Sequence, residues 1–458
     1  LDEVTASYDE DYGYVAPTIQ TSIPEQDQYY ETEYRVRANT AEQSIFYDSD
    51  ILSGFSIDNL NPNVPDSLSG NVNFKLPSDH GTSGAFLHSD GSGALSFGQI
   101  APSNRNKLIN GSMKVFQRGT SEVRSGGNDG YYNGLADRWA IRMHTSVAQT
   151  TFSKDTSDNP EGFGSNQKLV RANAGSSNAG KYFVYDTKLE GQDLQDFAKG
   201  TSGAKEFTLS FYIKTGVSGV YTCELRDLDN GRLVVKQYTV SNGNWNRYTL
   251  TFPADTTGAF DNDKNASLWV RFWLAAGTNF TSGTSQTSWA SNSDANICPG
   301  QTAQVGDNVA DTWQITGVQL EVGPVATSFE HLSYADEFRR CARYCYQWID
   351  DQQFGFGQVY SGSGYVKMFP PIPVNMRAKP SVTKNAPTGY WFVSYQGNSG
   401  YAGDRSVTVE GNSGDDNFQS ANSFRIFVHG GSNQGNGTTV WCLMHDTAGA
   451  YMRLEAEL

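Results

Sequence analysis

The sequence predicts a mainly β protein. Its parts are an extended N-terminal segment, a jelly-roll-like β-sandwich, a short connecting helix expected to form a trimeric coiled coil, and a C-terminal β-sandwich domain. Three observations lead there. The chain holds 25 Phe, 24 Tyr, 9 Trp and 47 Gly with only 18% charged residues. Aromatic side chains favour strands, and Gly, Asn and Ser serve turns. Apolar and polar residues alternate at period two through several segments of the middle of the chain. One stretch after Ser333 switches to helical spacing.

Residues 1–50 hold twelve acids, two Arg and seven Tyr without periodicity. Free, such a segment would be disordered; its tyrosines suggest that it orders against a partner, as a docking peptide does. Residues 51–104 read as a short β shaft. Within it, Val72 to Leu76 is one strand, and Ala85 to Gly98 is a hairpin around an Asp-Gly-Ser-Gly turn. A lone hairpin buries too little to stand by itself, so it is expected to pack with copies from other chains.

Residues 105–331 read as one sandwich. From Phe207 to Gly216, Phe207, Leu209, Phe211 and Ile213 take one face and Thr208, Ser210, Tyr212 and Lys214 the other. The stretch Tyr221 to Val240 is a hairpin, with Asn230-Gly231 offering the two positive-φ positions of a type I′ turn. Strands WNRYTLTF and LWVRFWLAAG follow, and antiparallel strands at this spacing make a sandwich or jelly roll. A strand with Ile315, Val318, Leu320 and Val322 comes next and stops at Gly323-Pro324.

Residues 332–348 are the connecting helix. Ser333 is its N-cap, with Asp336 three residues on. Tyr334, Phe338, Cys341, Cys345 and Trp348 recur at a/d spacing, a seam for packing on copies of the chain. So short a helix is marginal alone and needs a domain or neighbouring chains to hold it. Residues 349–458 form a smaller β domain, with YWFVSY, RSVTVEG, SFRIFVHG, TVWCLMHD and AYMRLEAEL as strands and a proline-rich edge before them.

Charge and motifs narrow the function. Lys and Arg total 34 against 49 acids, a net charge of −15. That argues against nucleic acid and anionic lipid as partners, and no apolar run approaches the roughly 20 residues of a membrane helix. No signal-peptide pattern is visible. Five cysteines without regular spacing suggest no disulfide framework; Cys341 and Cys345 read as small seam residues rather than half of a metal site. None of the six histidines sits in a zinc-binding HExxH pattern, and no nucleophile elbow or phosphate loop occurs. We therefore expect no catalysis. A polysaccharide depolymerase would need a carboxylate pair in a cleft.

Two binding sites are legible. Asp261, Asp263 and Asn265 begin like a calcium loop, but Ala266 and Phe272 break the pattern at its sixth and twelfth positions. A solvated turn is the simpler reading, with a structural calcium as the only cofactor considered. The second is a sugar-binding strip. If Leu268, Val270, Phe272 and Leu274 face the core, then Trp269, Arg271 and Trp273 face out. Tyr212 with Lys214 and Glu224 with Arg226 fall on matching faces of neighbouring strands. Indoles stack on sugar C–H faces, and charged groups meet hydroxyls. Packing under another element is the competing reading. Tyr390, Trp391 and Tyr401 in the C-terminal domain are further candidates.

Several segments resemble a known family. They are NKLINGSMKVFQRGTS at Asn106 to Ser121, LADRW at Leu135 to Trp139, RFWLAAGTNFTSGTSQTSWAS at Arg271 to Ser291, LEVGPVATSFEHLSYADEFRRCARY at Leu320 to Tyr344, MRAKPSVT at Met376 to Thr383 and the terminal RLEAEL. With the hairpin at Ala85, they resemble, in the same order over roughly residues 85–458, the tail-fibre and virion-appendage proteins of bacteriophages, marine phages especially. The resemblance implies a homotrimer on the virion, assembled in the host cytoplasm. It would dock on a tail or adaptor protein through residues 1–50 and adhere to host-surface glycan or protein. A head or neck fibre with a structural task is the alternative.

Overall fold

In the computed structural model, the described residues are 104–124, 130–144, 149–176, 178–241, 243–349, 353–360, 365–384 and 451–458, together with isolated strand segments elsewhere. The chain divides into two units, Leu1–Ala101 and Pro102–Leu458. In the first, β1 (Glu31–Tyr34) pairs with β4 (Leu52–Phe55), and β2 (Arg37–Asn39) with β3 (Phe46–Asp48). The predicted hairpin forms from β5 (Ala85–Ser89) and β6 (Leu95–Gln99), with Leu87 opposite Phe97. The strand expected at Val72 to Leu76 and most of the docking segment lie outside the described residues.

The second unit opens with the sandwich. Its strands are β7 (Ser121–Arg124), β8 (Gly130–Asn133), β9 (Ala140–Met143), β10 (Thr150–Asp155), β11 (Asn166–Arg171), β12 (Tyr182–Glu190), β13 (Phe207–Thr215), β14 (Gly219–Asp227), β15 (Arg232–Val240), β16 (Asn246–Phe252), β17 (Ala266–Ala276), β18 (Ala290–Ser291) and β19 (Thr312–Val322). They form a six-stranded sheet, β16-β13-β19-β11-β10-β7, and a seven-stranded one, β18-β15-β14-β17-β12-β9-β8. Every pairing in them is antiparallel. The predicted alternation holds where it was clearest: Phe207, Leu209, Phe211 and Ile213 of β13 and Leu268, Val270, Phe272 and Leu274 of β17 all face the shared core.

Two local features depart from the simple pattern. The hairpin between β14 and β15 is a four-residue loop, and only Gly231 has positive φ. Asp227 is the reason: its Oδ1 accepts from the backbone N–H of Asp229 and of Asn230, each at 3.0 Å, and this carboxylate-centred turn displaces the expected type I′ pair. In β19 the inward residues Ile315 and Val318 lie three apart, which strict alternation forbids. A bulge absorbs the extra residue: Ser210 pairs with Gln319, but Tyr212 pairs with Thr316. Gly317 sits there at φ +62°, beneath Phe163 and Tyr212.

The helix is shorter than predicted. Short α1 (Thr278–Thr281) belongs to the sandwich; α2 (Tyr334–Ala342) is the connecting helix. Its Ser333 Oγ accepts from Asp336 N–H, as expected. Beyond Ala342 the chain turns and becomes β20 (Cys345–Ile349), which pairs over five residues with β28 (Tyr451–Glu455). The a/d seam is therefore not formed. Cys345 and Trp348 lie on a strand, and they and Cys341 are buried within this chain, while Tyr334 is exposed. Two causes act together. The run Tyr344–Ile349 is rich in aromatic residues that suit a strand. Arg343 and Tyr344 are also both anchored on the Glu190 carboxylate, which stops the helix.

The remaining strands are β21 (Gln353–Tyr360), β22 (Tyr365–Met368), β23 (Ser381–Lys384), β24 (Trp391–Ser394), β25 (Ser406–Val409), β26 (Ile426–His429) and β27 (Thr439–Met444). The last four and β28 match the five predicted strands. Strand β28 is held by the sandwich: Arg118 donates to Glu455 at 3.1 Å and to Glu457 at 2.8 Å, and Arg138 also pairs with Glu457.

Two outcomes follow. Gly317→Ala adds a Cβ 2.6 Å from Phe163 Cζ and 2.8 Å from Tyr212 Cδ2, at a backbone angle unsuited to Ala. Stability should fall by about 1–3 kcal/mol in denaturant titration. Burial raises the thiol pKa of Cys341 and Cys345 well above its usual value. Both should resist a maleimide in the native chain, read by peptide mapping, and react only on denaturation. Native labelling of Cys345 would contradict its place in the ladder.

Candidate functional site

Sheet membership divides the predicted strip. Tyr212 and Lys214 lie on β13 of the six-stranded sheet, whereas Glu224, Arg226, Trp269, Arg271 and Trp273 lie on β14 and β17 of the seven-stranded one. Both sets face outward, so the sandwich core separates them.

On the seven-stranded sheet, register lines up Glu224, Arg271 and Asp186 across β14, β17 and β12, with Arg226, Trp269 and Lys188 in the next row. Glu224 is fully buried. It accepts from Arg226 Nε at 2.6 Å, Arg271 Nη1 at 2.9 Å and Trp273 Nε1 at 2.8 Å. Burial alone would raise its pKa; Arg271, Arg226 and the indole N–H outweigh that and hold it below the usual value. The segment after β17 folds back over this face. Phe280 lies 4.9 Å from Trp273 between ring centroids, and Ile297 and Cys298 close the small apolar core around it. Trp273, Arg271 and Glu224 are therefore packing groups, and the exposed two-indole strip is corrected accordingly. Trp269 stays partly exposed, but the guanidinium groups of Arg142 and Arg271 lie over its ring at 4.2 and 4.3 Å.

The six-stranded sheet presents a different surface. Lys214 Nζ donates to Asp158 Oδ2 at 2.6 Å, and Trp245 Nε1 donates to Asp158 Oδ1 at 3.1 Å. The hydrogen bond from Lys214 is the main reason that the Asp158 pKa is lowered. Tyr212 adjoins Phe163 at 5.3 Å, and Phe163 adjoins His331 and Phe329 at 5.1 Å each. Tyr212, Lys214, Asp158, Phe163 and Trp245 are all partly exposed. This platform has flat rings, one fixed carboxylate and one fixed ammonium. Its Phe163, Asp158 and Trp245 were not singled out in the sequence. Trp245 immediately precedes β16, outside the alternation that assigns residues to a face.

The calcium-like segment is a turn. Asp263 Oδ1 accepts from Asn265 N–H at 2.8 Å, and Asp261 N–H donates to Asp229 Oδ2 at 3.0 Å. Among the described residues, no group of three or more His, Cys, Asp or Glu is gathered as a metal site. Just before the calcium-like segment in the chain, the carbonyls of Thr257 and Gly258 help to form an oxygen-lined cage that Lys199 fills. Its fully buried ammonium pairs with Asp227 and with Asp255 at 3.1 Å, and donates to the carbonyls of Thr257 at 3.0 Å and Gly258 at 2.6 Å. Phe260 and Trp289 rings flank it at 5.2 and 5.3 Å. In the C-terminal domain, Trp391 opens β24, but its side chain and all of Tyr390 and Tyr401 lie outside the described residues.

No family model matches this chain, nor does any curated protein. Among solved structures it is similar to the enzymatically active domain of bacteriophage CBA120 tailspike protein 4, at 11% identity over 49% of this chain and 22% of that one, with a TM-score of 0.26. It is also similar to a CBM4 module, at 10% identity over 46% of this chain and 97% of the other (TM-score 0.22). A third is TmCBM61 in complex with β-1,4-galactotriose, at 8% identity over 48% and 99% (TM-score 0.23).

The Lys199 cage makes a stability prediction. Lys199→Met removes the charge but keeps the chain length, leaving two buried carboxylates with one fewer cation. The loss should be about 3–5 kcal/mol, measured by denaturant unfolding. An unchanged midpoint would show that the cage is not a stabilising centre.

Proposed function

We propose that this chain is a virion fibre protein that docks through its acidic N-terminal segment and adheres to glycan on the host surface through the sandwich. The observation that carries the binding assignment is the platform of Trp245, Asp158, Lys214 and Tyr212. Asp158 orients the indole through its N–H, and no other ring or cation lies over that indole among the described residues. Sugar C–H faces fit such rings, while the carboxylate and ammonium offer an acceptor and donors to hydroxyls. The fibre assignment rests on the segments that resemble phage appendage proteins.

Adhesion by weak sites becomes effective when copies are linked, because the second contact forms at high effective concentration. A homotrimer on the particle would supply this. Its contacts would have to come from surfaces other than Cys341, Cys345 and Trp348, which are already covered.

Binding of the full chain to a panel of immobilised neutral oligosaccharides tests the platform. Trp245→Ala should weaken retention about tenfold, as loss of one aromatic anchor does, with the thermal midpoint nearly unchanged because the side chain is partly exposed. If Trp245→Ala and Tyr212→Ala both bind as tightly as the parent, the platform is not the site.

A further inference from the structure

The opposite face of the sandwich has a composition that the packing around Glu224 does not explain. On a chain of net charge −15, four cations crowd one indole. Arg142 and Arg271 lie over the Trp269 ring at 4.2 and 4.3 Å, Lys188 at 5.4 Å and Arg226 at 5.9 Å. The acids that face them are Glu224 and Asp186, both in the floor, and Asp294 at the rim, 3.6 Å from Arg226. The backbone oxygen of Leu458 also accepts from Lys188. Among the buried polar atoms of this face, Nη2 of Arg226, Nε of Arg271, Nε1 of Trp269 and Oδ1 of Asp186 have no hydrogen-bond partner.

We infer that this face is a second glycan subsite, selective for sugars that carry a carboxylate or a sulfate. The inference rests on the reading of the module as glycan-binding. Three physical reasons support it. With two guanidinium groups over it, Trp269 is poorly placed to stack on a neutral pyranose. Arg271 is buried against Glu224 and only backs the indole, whereas Arg142 is partly exposed; a guanidinium plane held against an indole is a pre-oriented fork, the geometry that suits oxyanions. The floor acids are engaged with cations and covered: Glu224 with Arg226, Arg271 and Trp273, and Asp186 through Oδ2 with Arg142 at 3.0 Å, its Oδ1 being buried. Added negative charge is therefore met at the rim by cations. Burial first, and then the neighbouring Arg142, lower the Lys188 pKa, against the pull of Asp186. The acidic balance of the chain as a whole opposes a long polyanion such as nucleic acid, so a short charged saccharide is the better fit.

The experiment compares a hexuronate oligosaccharide, a sulfated oligosaccharide and a neutral one on the full chain, at 50 and 200 mM salt. The charged sugars should bind more tightly than the neutral one at low salt and weaken several-fold at high salt. Lys188→Gln should weaken the charged sugars about fivefold and leave the neutral one unchanged, and Trp245→Ala should do the reverse. Arg226→Gln is a second variant, and Lys188→Gln, partly exposed, guards against its misfolding. Three results would overturn the inference: charged sugars that bind no better than neutral ones, Lys188→Gln without effect, or a short DNA duplex that displaces the sulfated sugar as well as the free sugar does. If neutral sugars bind while charged ones do not, this subsite alone falls. If neither class binds, the glycan reading falls with it.

Discussion

The contact on which the sandwich depends is an aromatic layer between its two sheets. Trp139 stacks on Tyr185 at 5.1 Å, Tyr185 meets Trp313 edge-on at 5.5 Å, and Phe272 lies against Phe211 at 5.0 Å. Trp139, Tyr185, Phe211, Phe272 and Trp313 are all essentially inaccessible to water. They come from both sheets and from the loop before β9. Large rings in offset and edge-to-face contact bury more area than aliphatic side chains and add directional attraction. Once inward positions are taken by these rings, every other strand residue is committed to one of the two outer faces.

Around that layer the entry loop is stitched by side-chain amides. Asn106 accepts from Leu108 and Leu320 N–H and donates to the Val318 carbonyl. Asn110 accepts from Lys114 and Val115 N–H and donates to the carbonyls of Val115 and Asp137. Glu330 accepts from Asn104 and Asn106 N–H, and buried Glu337 of α2 accepts from Asn110 N–H. These bonds satisfy backbone groups that an irregular buried segment would otherwise leave unpaired. The opening and closing segments of the sandwich thus each supply the partners of the other. The same bonds also fix α2 against its own chain.

The two outer faces are chemically unlike. One carries an oriented indole beside a neutral ion pair. The other carries cations over an indole and buried acids beneath. The residues that seemed to form one strip belong to both. Tyr212 and Lys214 remain at a surface, whereas Trp273 and Arg271 are roofed by the segment that carries α1, Ile297 and Cys298.

Alternation along single strands was legible from residue order, because side-chain direction in a strand repeats every two residues. So the inward sets of β13 and β17, the cap at Ser333 and the late strands of the C-terminal domain could be read directly. The bulge at Gly317, the carboxylate-centred turn at Asp227 and the end of α2 at Ala342 could not. Each depends on a partner distant in sequence or on a competing side-chain bond. Residue order alone sets which residues of a strand share a face. Which sheet each strand joins, and which face another segment covers, emerges only once the chain is folded. Those choices rest on pairings between positions far apart in the chain, such as Glu224 with Arg271 and Tyr212 with Thr316. Period-two order says nothing about such pairings.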